Sequence, residues 1–169
     1  MADRQFYDTE SILFEVKEQL LNPDIGINSQ IATINDEKSL TDIDDYGSLV
    51  TIPEIEDDAI YMLTVDQRME SYDYFIGLTI EGEEIDVVGA TRLKVGVSVY
   101  VNNTYDWLVD VKALRYRRAV QDCFEKHRLF GGLIESRMVG LKTVDALLGQ
   151  EMKAYRKVGT ALDLFFQKY

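Results

Sequence analysis

Residues 93–127, LKVGVSVYVNNTYDWLVDVKALRYRRAVQDCFEKH, decide the fold. Leu93, Val95, Val97, Val99 and Val101 alternate with Lys94, Gly96, Ser98 and Tyr100. Successive side chains of a strand face opposite sides, so a period of two describes a strand with one buried face. The period then changes. Val109, Ala113, Tyr116, Val120, Cys123 and His127 recur at steps of three and four, which places them on one stripe of a helix. A central strand feeding a long helix that covers it is the expected nucleus, with the helix spanning roughly 107–127.

Working outward toward the N-terminus, Asp8 or Thr9 suits a helix cap, with Glu10 in the first turn where the helix dipole favours an anion. Ile12, Leu13, Val16 and Leu20 follow at helical spacing, and Asn22-Pro23 stops the helix because the residue before proline avoids the α region. A helix over 9–21 follows. A second, weakly amphipathic helix over 29–38, carrying Ile31 and Ile34, is expected on the surface. Residues 39–58, SLTDIDDYGSLVTIPEIEDD, hold Asp42, Asp44, Asp45, Glu54, Glu56, Asp57 and Asp58 without a cation. No element of ordinary length fits this stretch, and a long structureless segment inside a compact domain points to function. It reads as an acidic extended arm that orders against a partner.

From residue 60 the pattern is β. Strands are expected over 60–65, 74–80, 84–88 after a turn at Gly82, and 93–101, and three sequential strands with short polar connections read as an antiparallel meander. After the long helix, 133–139 and 153–166 read as two closing strands, with 145–150 as a helical turn or hairpin loop. The class is therefore α+β: one domain over 1–169, a mostly antiparallel sheet packed against an N-terminal helix and one long central helix.

Composition narrows the chemistry. A hydrophobic fraction of 46% with 28% charged residues fits a soluble globular protein. No apolar run approaches the ~20 residues that span a bilayer. The N-terminus lacks the apolar core of a signal peptide, so synthesis in the cytoplasm is expected. The net charge of −12 is concentrated: residues 1–60 hold fifteen acidic and three basic residues, and the remainder holds fifteen of each. Such a chain does not bind nucleic acid through phosphates, which needs clustered cations.

Cys123 and His127, four residues apart, are the only cysteine and histidine. A small buried thiol and a histidine favoured by the helix dipole explain both without catalysis. Asp42-x-Asp44 followed by Gly47 echoes a calcium loop, but Tyr46 and Pro53 occupy two ligand positions. Glu81, Glu83, Glu84 and Asp86 read as a charged hairpin rather than a metal site. No catalytic residues, cofactor or metal are expected. Cations gather once, at Lys112, Arg115, Arg117 and Arg118. At 100° per residue Arg115 and Arg118 project away from the apolar stripe, with Arg117 at its border. Part of this cluster forms i,i+4 pairs with Asp122. The rest is expected to meet the acidic arm, from the same chain or a neighbour, because guanidinium forks suit carboxylates at interfaces.

At the strand–turn–helix of 93–127 the chain resembles the tail-terminator and neck (tail completion) proteins of tailed bacteriophages. The resemblance extends to the order of elements over the whole chain: N-terminal helix, meander, a long helix beginning near Leu114-Arg115-Tyr116-Arg117, and two closing strands. It implies a structural, non-enzymatic virion subunit that forms a homo-oligomeric ring, typically six-fold. Such a ring caps the tail tube and meets the head or neck proteins, and DNA passes without specific binding, as an acidic bore would favour. Two other readings stand beside it: a monomeric or dimeric acidic module binding a basic protein, and a metal-dependent hydrolase using the carboxylates of 81–86 or 42–58.

Overall fold

The computed structural model describes residues 8–39, 50–62, 72–103, 108–129, 134–148 and 153–167. The elements run α1 (Thr9–Leu21), α2 (Ile27–Ser39), a 3-10 turn (Asp57–Ala59), β1 (Ile60–Met62), β2 (Tyr74–Ile85), β3 (Ala90–Asn102), α3 (Val109–Glu125), β4 (Glu135–Gly140), β5 (Val144–Leu148) and β6 (Lys153–Gln167). The α+β class holds, with a six-stranded, mostly antiparallel sheet of order β1-β2-β3-β6-β4 and β5 also on β6. β3 lies between β2 and β6 along its whole length. Its odd residues, Leu93 to Val101, are fully buried beneath the helices.

Several connections differ from the sequence-based expectation. β1 pairs with β2 in parallel, through Ile60–Met62 against Ile76–Leu78, so it is no meander strand. Gly82 makes no turn. β2 runs through it with a register shift between Ile80 and Gly82, a bulge that inserts Glu81. The turn comes later and is built by Asp86. Its carboxylate accepts the N–H groups of Val88 and Ala90, both at 2.9 Å, and Gly89 adopts φ 82, a left-handed conformation that suits glycine. Residues 144–148 form a strand rather than a helical turn or loop. β4 and β5 follow one another along the same edge of β6, interrupted at 141–143.

β3 also proves buried on both faces in its middle. Ser98 and Tyr100 are 2% and 5% exposed although they face away from the helices. Glycines and aromatics explain this. Tyr100 lies against Gly77, where a Cβ would approach its ring to 3.3 Å, and Leu141 lies against Gly159. Phe75 stacks on Tyr100 at 4.6 Å and 9°, and Tyr155 meets Phe75 edge-on at 5.2 Å. Tyr155 donates its hydroxyl to the Tyr72 carbonyl at 2.7 Å. A second small core thus forms where backbone hydrogens, in place of side chains, let neighbouring rings lie flat.

The helices cover the other face. Asp8 caps α1, accepting the Ser11 N–H at 2.7 Å. α1 buries Ile12, Leu13, Val16 and Leu20. Its buried Gln19 reaches α3, donating to the carbonyls of Cys123 at 3.0 Å and His127 at 2.7 Å, which satisfies groups left open at a helix end. α2 is not a surface helix: Ile27, Gln30, Ile31 and Ile34 are buried, and α2 packs on α3. Only part of its inward face is apolar, for a reason seen below.

Candidate subunit interface

The acidic segment and the arginine cluster meet, though not as opposite charges. From residue 50 the segment alternates: Val50, Ile52, Ile55 and Ala59 are buried, while Glu54, Glu56, Asp57 and Asp58 are exposed. Ile52, Ile55 and Ala59 lie in the common core of the same chain. The segment's backbone is held by side chains of α2 and α3. Asn28 donates to the Ile55 carbonyl and accepts its N–H, both at 2.8 Å. Asn35, two turns on, does the same for Ile52, both at 3.0 Å. Each carboxamide thus replaces a strand neighbour for one residue. Tyr116 donates its hydroxyl to the Pro53 carbonyl at 2.6 Å, and its burial raises the phenol's pKa strongly. Asp42, Asp44 and Asp45 lie outside the described residues.

The three arginines have separate tasks. Arg115 was expected to face outward, yet it is only 7% exposed and donates to the carbonyl of Val50. The helical wheel places it correctly relative to the apolar stripe, but residues 50–55 cover that flank of α3. Burial pushes its guanidinium below its ordinary pKa. Arg117, half-buried, donates to the Leu141 carbonyl and to Thr143 Oγ1, pinning the interruption between β4 and β5. Arg118 grips Glu37 of α2 through two bonds, 3.0 and 2.6 Å, and flanks Asp122. This fork holds the Glu37 carboxyl below its usual range and raises Arg118. Both partners are exposed, so the pair contributes orientation more than stability. Among the described residues, no carboxylate of 54–58 forms an ion pair with these arginines. Asp58 instead accepts from Tyr72, which pushes that hydroxyl up to about 12.

The other candidates for chemistry fall into structural roles. Cys123 is fully buried, and burial raises its thiol to about 12, far from a nucleophile's range. We expect no reaction with a thiol-specific disulfide reagent at pH 8 until denaturant is added. Fast labelling of the native protein would contradict the burial. His127 lies beyond the end of α3, half-buried, its carbonyl held by Gln19. Of the hairpin carboxylates, Glu81 accepts from Thr79 at 2.6 Å, Glu83 accepts from Thr9 of α1 at 2.8 Å, and Asp86 shapes its own turn. Among the described residues no group of three or more His, Cys, Asp or Glu is placed to hold a metal ion, and no helix is long and apolar enough to cross a membrane. A cleft of about 420 Å³ opens between α3 and β5, where Arg156 bridges Asp110 and Asp145.

What remains open is surface. Ile80 to Val88 are exposed along the outer part of β2 and its turn, with Val87 at 103% and Val88 at 69%. Glu135 and Arg137 of β4 are exposed at the opposite margin of the sheet. Nothing in the sequence around the arginine cluster pointed to these margins, because sheet order was needed to see which strands end it.

No protein-family model matches the chain, and no curated protein matches it. Three chains of solved structures match. One belongs to the virion of a native gene transfer agent (GTA) particle; it is 12% identical, with a TM-score of 0.35, and the alignment covers 83% of this chain and 98% of that one.

Proposed function

We propose that this chain is a structural virion subunit, a tail-terminator or neck protein that forms a ring, caps the phage tail tube and joins it to the head or neck. The observation that carries the reading is how the sheet is covered. Three helices bury one face, while among the described residues the outer part of β2 and Glu135, Arg137 and Gly140 of β4 stand exposed at the strand margins. Unprotected margins invite pairing with another chain, and a closed ring is one way to cover them all. The strand–turn–helix unit of 93–127 supports the same reading through its resemblance to that family. In this role the chain works by oligomerisation and docking, without catalysis or a cofactor. Its partners are copies of itself, six in the simplest ring, and the tube and neck proteins above and below. The net charge of −12 suits a passage that DNA crosses without being gripped.

Native mass measurement tests the reading. The expected result is a discrete assembly at a multiple of the 19.4 kDa subunit, six-fold in the simplest case. Monomer alone at high protein concentration, persisting after tube protein is added, would sink it.

A further inference from the structure

The sheet face turned away from the helices carries its charges in a lateral order. At the bulge of β2, Glu81 lies over Gly96 of β3 and Gly82 pairs with Lys94. Lys94 pairs across to Asp163 of β6, and Asp163 to Arg137 of β4. From one margin to the other the row reads acidic, basic, acidic, basic. Its interior is enclosed within the chain: Asp163 is 5% exposed, stands in register between Lys94 and Arg137, and is bonded through Oδ2 to Arg92 at 3.3 Å, while its Oδ1 is buried without a hydrogen-bond partner among the described residues. Its ends are not enclosed. Glu81 and Glu84 are exposed at the β2 margin, beyond the stretch that pairs with β1, with Glu84 opposite Arg92 on the inner side. Arg137 is exposed on β4 and Lys142 in the interruption that follows it, and Glu135 is the one acidic residue of β4.

Like edges repel and unlike edges match. Two β2 margins would set Glu81 and Glu84 against their own copies, and two β4 margins would oppose Arg137 to Arg137. β2 against β4 continues the alternation, and since each strand from β2 to β4 is antiparallel to the last, the new neighbours are antiparallel too. Their spacing is that of any ladder, close enough for opposed charges to count. We propose that the β4 margin of one copy docks on the outer β2 margin of the next, with Arg137 and Lys142 facing Glu81 and Glu84. Such a contact is heterologous, so repeating it closes a ring or extends a filament. The proposal rests on the ring reading above and assigns its contact.

Charge exchange tests it in the full chain. One variant carries Arg137→Glu with Lys142→Glu, the other Glu81→Lys with Glu84→Lys. Each alone should weaken association at least about tenfold, since like charges then face each other at every contact. An equimolar mixture should assemble again, with the two variants alternating and an even subunit number by native mass. Rescue on mixing also shows that both variants fold. If either variant assembles like wild type, the assigned contact is overturned and the ring reading survives. If the variants keep the wild-type melting curve yet the mixture does not assemble, the contact is likewise overturned. If wild type itself never assembles, both fall.

Discussion

Replacing Asn28 and Asn35 with alanine is expected to release residues 50–56 from the body and to lower stability by about 2 kcal/mol for each single change. Each carboxamide satisfies both the N–H and the carbonyl of one residue in a segment whose apolar side is in the core. A buried backbone group left without a partner costs ~1–3 kcal/mol, and partial access of water at these sites keeps the cost near the lower half of that range. The two asparagines are seven residues apart, roughly 10 Å along the helix axis, far enough to be independent were they not holding one segment. Because they share it, the double variant should lose less than the sum, once the first loss has already loosened the strand. Urea unfolding of the two singles and the double gives the cycle directly, and limited proteolysis should show cutting near 50–56. Single losses below about 0.5 kcal/mol, typical of plain surface changes, would contradict the anchoring.

Gly26→Ala is expected to cost about 3 kcal/mol. Gly26 stands between α1 and α2, donating its N–H to the Asn22 carbonyl at 2.8 Å while its own carbonyl accepts from Gln30 at 3.2 Å. A Cβ there would come closer than 3.0 Å to the carbonyl oxygens of Asn22 and Leu20. These are backbone atoms, so no side chain can swing aside. The last turn of α1 would have to shift, and with it Leu20, which is 1% exposed. Overpacking of this kind costs ~1–3 kcal/mol, and the upper end applies because two carbonyls are struck at once. For a chain of this length that is a fall in Tm of roughly 6–12 °C. Thermal unfolding decides it, and a variant melting within 2 °C of wild type would show that the connection yields freely.

Much of this architecture was legible from periodicity. The alternation of β3 and the long β6 follow from apolar spacing, and the α1 boundaries from the cap at Asp8 and the stop at Asn22-Pro23. What escaped reading follows a common physical rule. α2 looked like a surface helix because Asn28 and Asn35 occupy part of its inward side, and a carboxamide that serves as a strand substitute has the composition of an exposed residue. Arg115 looked exposed for the complementary reason: its wheel position was right, but a distant segment covers it. The turn expected at Gly82 is made four residues later, by the carboxylate of Asp86. The charges at the sheet margins are hidden from the sequence by the same logic. Charge clusters in sequence, such as Arg115 to Arg118, are consumed inside the fold. The charges that alternate across the sheet come from four separate strands and acquire a pattern only through their register.

The ring is the working form proposed for this chain. Negative-stain imaging of the purified protein at high concentration tests it most directly. The account predicts closed particles with a central opening and one rotational symmetry, lost in either charge-reversed variant and regained when the two are mixed. A field of single small particles, unchanged when tube protein is added, would contradict it.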